Sequence, residues 1–288
     1  MPAPDAASAT AAGELTLGGD RTVRRLGFGA MRITGPGIWG EPPDRDGALA
    51  VLQRAVELGV NLIDTADSYG PAVSEELIAE ALHPYPEDLV IATKGGLTRA
   101  GPGRWEADCR PERLKRCCED SLRRLRLDRI DLYQLHTVDP KVPYAESIGA
   151  LAELRQEGKI RHVGISNAGR RQLDEARSIV PVVSVQNRYS MTARDSEQVL
   201  EACERAGLGF IPWFPLDAGR LEGGPVEEIA RAHDATPMQV ALAWLLQRSP
   251  VMLPIPGTSS VAHLEENVAA ASLELADDEF ERLAELGE

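Results

Sequence analysis

Eight short β-rich runs alternate along this chain with longer segments whose apolar residues recur every three or four positions, and this alternation constrains the fold more than any other feature. The runs predict strands over 26–31, 61–64, 89–94, 130–136, 162–166, 183–187, 209–213 and 251–255. Between them DGALAVLQRAVELG, PERLKRCCEDSLRRLRL, YAESIGALAELRQEG and DSEQVLEACERAG read as amphipathic helices, several ending in the Gly that commonly follows a helix C-terminus. Further helical patterns cover 226–233 and 237–247, and an acidic one begins at Asp277. Upstream, ELTLGGDRTVRRL places two strand-like runs around Gly18, Gly19 and Asp20, a hairpin suited to plugging a barrel floor. Eight βα units predict an α/β fold, a (β/α)8 TIM barrel with an N-terminal β-hairpin and extra C-terminal helices. An open doubly wound sheet fits less well, because Arg32 stands where the third Gly of a GxGxxG turn belongs.

No linker or low-complexity insert divides the chain, so 14–288 reads as one domain after a flexible Ala- and Pro-rich tail over 1–13. The formal charge of −14 argues against general affinity for nucleic acid or an anionic membrane, since both need a basic field. Anionic ligands must be held by local dipoles. No apolar run approaches a membrane span, and the first residues lack the features of a secretory leader. Four cysteines without CxxC spacing suit a reducing compartment, so a cytoplasmic protein is expected.

In a barrel of this kind, reactive groups gather at the C-terminal ends of the strands. Those ends carry Asp64, Lys94, His136, Ser166 with Asn167, Gln186 with Asn187, and Trp213. After the second run, NLIDTADSYG passes from an apolar strand into a polar turn and adds Tyr69. Singly, each residue has a plain structural explanation: Asp and Ser cap helices, and SEELIAEAL follows directly. Jointly they fit one chemistry. A phenol titrates near pH 10, too high for easy proton donation unless a cation stabilises the phenolate, and Lys94 supplies one. Asp64 offers the counter-charge that a buried ammonium needs, and His136 is placed to orient a carbonyl oxygen.

The five histidines are scattered without HxH or HExxH, and no GxSxG elbow is present, so no metal and no serine nucleophile are expected. Protonating a carbonyl requires a hydride source that no side chain provides, which implies a nicotinamide cofactor. In PGTSSVAHLEEN, Gly257 permits close backbone approach, Thr258, Ser259 and Ser260 add hydroxyls, and a helix starting near Val261 adds its positive end. That is an anion site on an acidic protein. A barrel of unrelated lyase or hydrolase chemistry is the alternative.

DTADSYG, the Lys of IATKGG, the His of IDLYQLH, GKIRHVGISN, VSVQNRYS, WFPL and IPGTSSVAHLEEN occur in an order that resembles the aldo-keto reductase family, over about residues 15–274. The resemblance implies that Asp64, Tyr69, Lys94 and His136 form the family's catalytic tetrad. It also implies that Ser166, Asn167 and Gln186 hydrogen-bond a nicotinamide carboxamide, that Trp213 stacks on the ring, and that Leu216 and Gly219 clasp the pyrophosphate. His263 stands where NADPH-preferring members often carry Arg, and Glu266 and Asn267 match contacts to the adenosine. NADPH is the expected cofactor, with NADH the lesser choice. The family fold also serves as a nicotinamide-binding regulatory module, which leaves slow or absent turnover as the competing reading. Trp39 in RITGPGIWGEPP and Trp105 in GGLTRAGPGRWEADC either pin two irregular loops or line a pocket for a flat or apolar small-molecule carbonyl substrate. Together with WFPL, the first loop is similar to a bacterial branch of the family that includes pyridoxal reductases.

Overall fold

The apolar runs seen in the sequence become parallel strands buried on both faces, the pattern of a sheet wrapped by helices. A computed structural model describes residues 7–213 and 224–287. Strands β1 (Glu14–Leu17) and β2 (Arg21–Arg24) pair as an antiparallel hairpin. They are followed by β3 (Phe28–Gly29), β4 (Leu62–Asp64), β5 (Val90–Gly95), β6 (Leu97–Gly101), β7 (Arg104–Ala107), β8 (Ile130–Leu135), β9 (Ile160–Ser166), β10 (Val182–Arg188) and β11 (Gly209–Trp213). Seven of these form one parallel curled sheet in the order β3-β4-β5-β8-β9-β10-β11.

Helices α1 (Arg45–Glu57), α2 (Val73–Leu82), α3 (Pro111–Leu125), α4 (Tyr144–Gln156), α5 (Arg170–Ile179) and α6 (Glu197–Ala206) are the crossovers of this sheet. Helix α1 shows why they form: Asp44 caps it by accepting from the Gly47 amide at 2.8 Å. Its Ala48, Val51, Leu52 and Ala55 then recur on one face and pack in the same cluster as Phe28, Ile63 and Ile91. Each fully buried Val or Leu there contributes about 1.5–3 kcal/mol. Helices α7 (Gly224–Ala232), α8 (Pro237–Arg248), α9 (Val261–Ala269) and α10 (Asp277–Ala284) complete the C-terminal part.

The eighth expected strand does not form as a regular element. Its Met252 makes a single bridge to Phe210, with Phe210 N donating to Val251 O and Leu253 N to Phe210 O, both at 2.8 Å. On its other edge Gly27 N donates to Pro254 O at 2.9 Å and Gly29 N to Pro256 O at 3.3 Å. Proline has no N–H to return, so this edge can bond in one direction only. The segment thus closes the barrel between β11 and β3 without a ladder. Gly29 is needed for that closure, because a Cβ there would stand 2.6 Å from the Ile255 carbonyl oxygen. The first barrel strand, expected over 26–31, is likewise short: β3 covers only Phe28–Gly29.

The N-terminal hairpin plugs the floor as expected: Leu17 and Val23 pack with Leu62, Val90, Ala92, Leu132, Ile211, Leu253 and Ile255 inside the barrel. Asn61 ties it down by accepting from Arg24 N at 2.7 Å and donating to Thr22 O at 3.1 Å. Two expectations change. The tail is ordered over its last residues, where Ala9–Ala12 forms a 3₁₀ turn, Ala9 is fully buried and its N–H bonds Leu58 O at 2.9 Å. The loop after the third barrel strand is a second hairpin, β6–β7, turned by Gly101, Pro102 and Gly103.

Candidate active site

Strand periodicity builds the site. Residues alternate between the helix side and the barrel interior, so Leu62 and Asp64, Ala92 and Lys94, and Leu132 and Gln134 face inward in successive layers. At the upper layer Lys94, fully buried, donates from Nζ to Asp64 Oδ1 at 2.5 Å, to Thr65 O at 2.8 Å and to the Tyr69 hydroxyl at 3.4 Å. The other Asp64 oxygen accepts from Gln186 Nε2 at 2.8 Å and Gln134 Nε2 at 3.0 Å. His136 closes the group, with its ring 5.9 Å from that of Tyr69 and its Nδ1 3.4 Å from Ser68 Oγ. All four expected catalytic residues therefore meet in one place. Gln134 was not singled out from the sequence, although the alternation Leu132, Gln134, His136 is the signal that finds it.

Burial dominates the electrostatics. It would push the Lys94 ammonium down, but Asp64 and then Tyr69 outweigh it, and the net direction is up, so Lys94 carries its charge. Burial also raises the Tyr69 phenol, and the Lys94 cation offsets this only in part. The expected lowering by Lys94 is thus present but is not the net result; Tyr69 stays protonated. His136 is driven well below its ordinary value by burial and then by Lys94, so its imidazole is neutral.

A second polar layer lies behind the first. Glu75, fully buried on α2, accepts from Thr93 Oγ1 at 2.6 Å and from Arg124 Nε at 2.7 Å. Asp67, in the turn before Tyr69, is buried with Oδ1 lacking a hydrogen-bond partner. Burial, followed by the nearby Glu75 charge, pushes its carboxyl up to about 7 against the opposing contact from Cys117. Nothing in local sequence spacing separates Asp67 from an ordinary turn aspartate.

The residues expected to hold the nicotinamide lie on the adjoining rim. Asn167 adopts a left-handed conformation (φ 54°), which Asn tolerates. There its Nδ2 donates to His136 O at 3.0 Å and to Ser166 Oγ at 3.2 Å, and its Oδ1 accepts from Trp213 Nε1 at 3.1 Å. Trp213 is half-buried, held by its edge. Gln186 reaches the site through Asp64. Leu216 and Gly219 lie outside the described residues.

The 257–260 segment leads into α9, whose N-cap is Ser260: its hydroxyl accepts from His263 N at 3.4 Å, and its own amide donates to Thr258 Oγ1 at 3.1 Å. Gly257, Ser259 and His263 are exposed around that positive helix end. Farther along α9, Glu266 is exposed and Asn267 buried.

Across the mouth, Trp105 meets Tyr69 edge to face at 6.4 Å and His136 at 6.5 Å. Trp39 bridges backbone to Gly70, which follows Tyr69. Arg99, not foreseen from the sequence, lies 3.6 Å from the centre of the Trp105 ring and 5.7 Å from that of Trp39. The fourth tryptophan, Trp244, is fully buried between Tyr189 and Phe280. Among the described residues no group of three His, Cys, Asp or Glu is placed to hold a metal.

Residues 25–288 match the aldo/keto reductase family. Over 287 residues the chain is 50% identical to an uncharacterised oxidoreductase of Schizosaccharomyces pombe, covering 99% of this chain and 93% of that one. Over 267 residues it is 45% identical to pyridoxine 4-dehydrogenase of Escherichia coli, covering 90% and 93% respectively. An aldo-keto reductase from Klebsiella pneumoniae, solved in complex with NADPH, has a TM-score of 0.82 and 28% identity over 95% of this chain and 94% of that one. Geometry and comparisons agree, and the chain is a member of the aldo/keto reductase family.

Proposed function

We propose that this protein is an NADPH-dependent oxidoreductase that reduces an aldehyde or ketone to an alcohol, with a flat, pyridoxal-like aldehyde as its preferred substrate class. One observation carries the reading: a buried, protonated phenol, Tyr69, stands 3.4 Å from an ammonium that is itself locked to Asp64. The cofactor residues suit a dinucleotide. Trp213, tethered at its edge by Asn167, offers a ring face, and the exposed Gly257 and Ser259 at the start of α9 offer an anion cradle. The named relatives support the same chemistry, and the pyridoxine enzyme supports the substrate class.

NADPH, when bound, supplies the hydride. Tyr69 delivers the proton to the carbonyl oxygen as negative charge develops on it. A high phenol pKa is no obstacle, because the acceptor becomes an alkoxide, a stronger base than phenolate. Lys94 then stabilises the phenolate left behind, and Asp64 with its two glutamine donors keeps Lys94 in place. Neutral His136, with Nδ1 beside Ser68, leaves Nε2 to hold the substrate oxygen. We place the protein in the cytoplasm, a setting that its four buried free cysteines suit.

The test is Tyr69→Phe, which removes one oxygen and keeps the ring. Single-turnover oxidation of bound NADPH by an aromatic aldehyde should slow by about 10²–10⁴, the usual contribution of a positioned general acid. Full activity in the folded variant would overturn the proton-donor role. Tight NADPH binding with no turnover of any carbonyl by the unmodified protein would favour the regulatory module instead.

A further inference from the structure

Arg99 sits on β6 directly opposite Trp105 on β7, and its guanidinium stacks on that indole at 3.6 Å. Its donors reach three separate stretches of backbone. Nη1 bonds Ile38 O at 2.8 Å and Ser68 O at 3.2 Å, while Nη2 bonds Gly37 O at 2.8 Å and Gly101 O at 3.5 Å. One side chain thus joins the Trp39 loop, the Trp105 hairpin and the turn that carries Tyr69. Its Nε is buried with no hydrogen-bond partner, and the half-buried side chain is held in place by these bonds and the ring at the edge of the mouth. Only a planar fork can stack on an indole and grip several carbonyls at once; an ammonium presents no plane.

Resting on the reductase reading, we propose that Arg99 is a specificity-determining positioning residue. It fixes Trp105 as an aromatic wall over Tyr69 and His136, so that the site takes flat aromatic aldehydes in preference to small aliphatic ones. Trp105 makes the contact with substrate, and Arg99 acts through it. Without the fork, the β6–β7 hairpin keeps its ladder but loses its tie to the Trp39 loop, and the indole no longer has one orientation. The charge of Arg99 is spent on carbonyls and the ring, so substrate anionic groups are not what it selects.

Arg99→Met and the milder Arg99→Lys test this in the full chain with two readouts. The first is kcat/KM for benzaldehyde against propanal; the second, independent of turnover, is benzaldehyde binding in the presence of NADP⁺, read by tryptophan fluorescence. In both variants the benzaldehyde-to-propanal ratio should fall by about tenfold, through KM rather than kcat, and the benzaldehyde Kd should rise by the same factor. An unchanged ratio and Kd in a folded variant overturns the proposal, as does a parallel loss of both substrates through kcat, which would make Arg99 a brace for the Tyr69 turn alone. Should Arg99→Met fail to fold, Arg99→Lys decides. If the unmodified protein binds benzaldehyde in an Arg99-dependent way yet reduces no aldehyde, the reductase reading fails and this one stands. If it binds no benzaldehyde, this one fails whatever the turnover.

Discussion

Replacing Asp67 with Asn should make the protein relatively more stable as the medium becomes alkaline. The Asp67 side chain is buried in the Tyr69 turn, and the titratable groups around it include Glu75 of α2, Cys117, Arg113 and Arg124 of α3, Tyr69 itself and Tyr133 of β8. Burial, reinforced by Glu75, pushes its carboxyl up to about 7 in the native protein, whereas the unfolded chain releases that proton near pH 4. Between those values the native state binds more protons than the unfolded one, so this group's contribution to stability declines as pH rises. A shift of roughly three units corresponds to about 4 kcal/mol once fully developed above pH 7, and about 2.5 kcal/mol of that accrues between pH 5 and pH 8. His136 tilts the other way. Its native imidazole stays neutral, while the unfolded one gains a proton below about pH 6.5, so stability falls on acidification. The two slopes overlap in the wild-type protein, and only the difference between wild type and Asp67→Asn isolates the carboxyl. Urea unfolding of both at pH 5 and pH 8 gives it: the variant should improve relative to wild type by about 2–3 kcal/mol across that interval. An identical difference at both values, or a change of opposite sign, refutes the account of Asp67 as a buried carboxyl held neutral.

Trp213→Ala should weaken NADPH binding and abolish most of the fluorescence quenching that NADPH causes; Trp244 is sealed in the helical layer, so unchanged quenching would place the responsive ring at Trp39 or Trp105 of the same mouth. The exposed His263→Arg change at the start of α9 should tighten NADPH by about 1 kcal/mol, roughly fivefold, with little effect on NADH. Dissociation constants for the two cofactors check this, and equal affinities in the unmodified protein would leave His263 as a plain surface residue.

What could be read from the sequence follows from what periodicity carries. Strand alternation and the βα rhythm locate Asp64, Lys94 and His136 at strand ends, and the short turn after Asp64 must then bring Tyr69 to the same rim. The misreadings have physical causes as well. The run 251–255 looks like a strand by composition, but Pro254 and the Pro256 that follows it withhold N–H groups, so the segment bonds its neighbours without a ladder. The β6–β7 hairpin escaped because its Gly101-Pro102-Gly103 turn resembles loop chemistry, though that dipeptide order also turns hairpins. Arg99 and Gln134 were invisible singly, since their roles arise from partners far off in the sequence, Ile38 for Arg99 and Asp64 for Gln134, and Asp67 was invisible because burial, which sets its behaviour before Glu75 adds to it, is a tertiary property.

The seam between β11 and β3 also dictates when this molecule is finished. Gly27 and Pro254 lie far apart along the polypeptide, so closing the ring constrains a long stretch of chain and carries a large loop entropy. Until then both terminal strands of the curled sheet present open edges, the arrangement most exposed to unwanted pairing during synthesis. Asp64, Lys94, Gln134 and Gln186 stand on β4, β5, β8 and β10, all inboard of those edges, and draw nothing from the last segment. Gly257 to Ser260 follow directly after it. The strands of the proton-handling cluster are therefore all complete before the segment that shuts the barrel is made, and the anion cradle arrives with that segment.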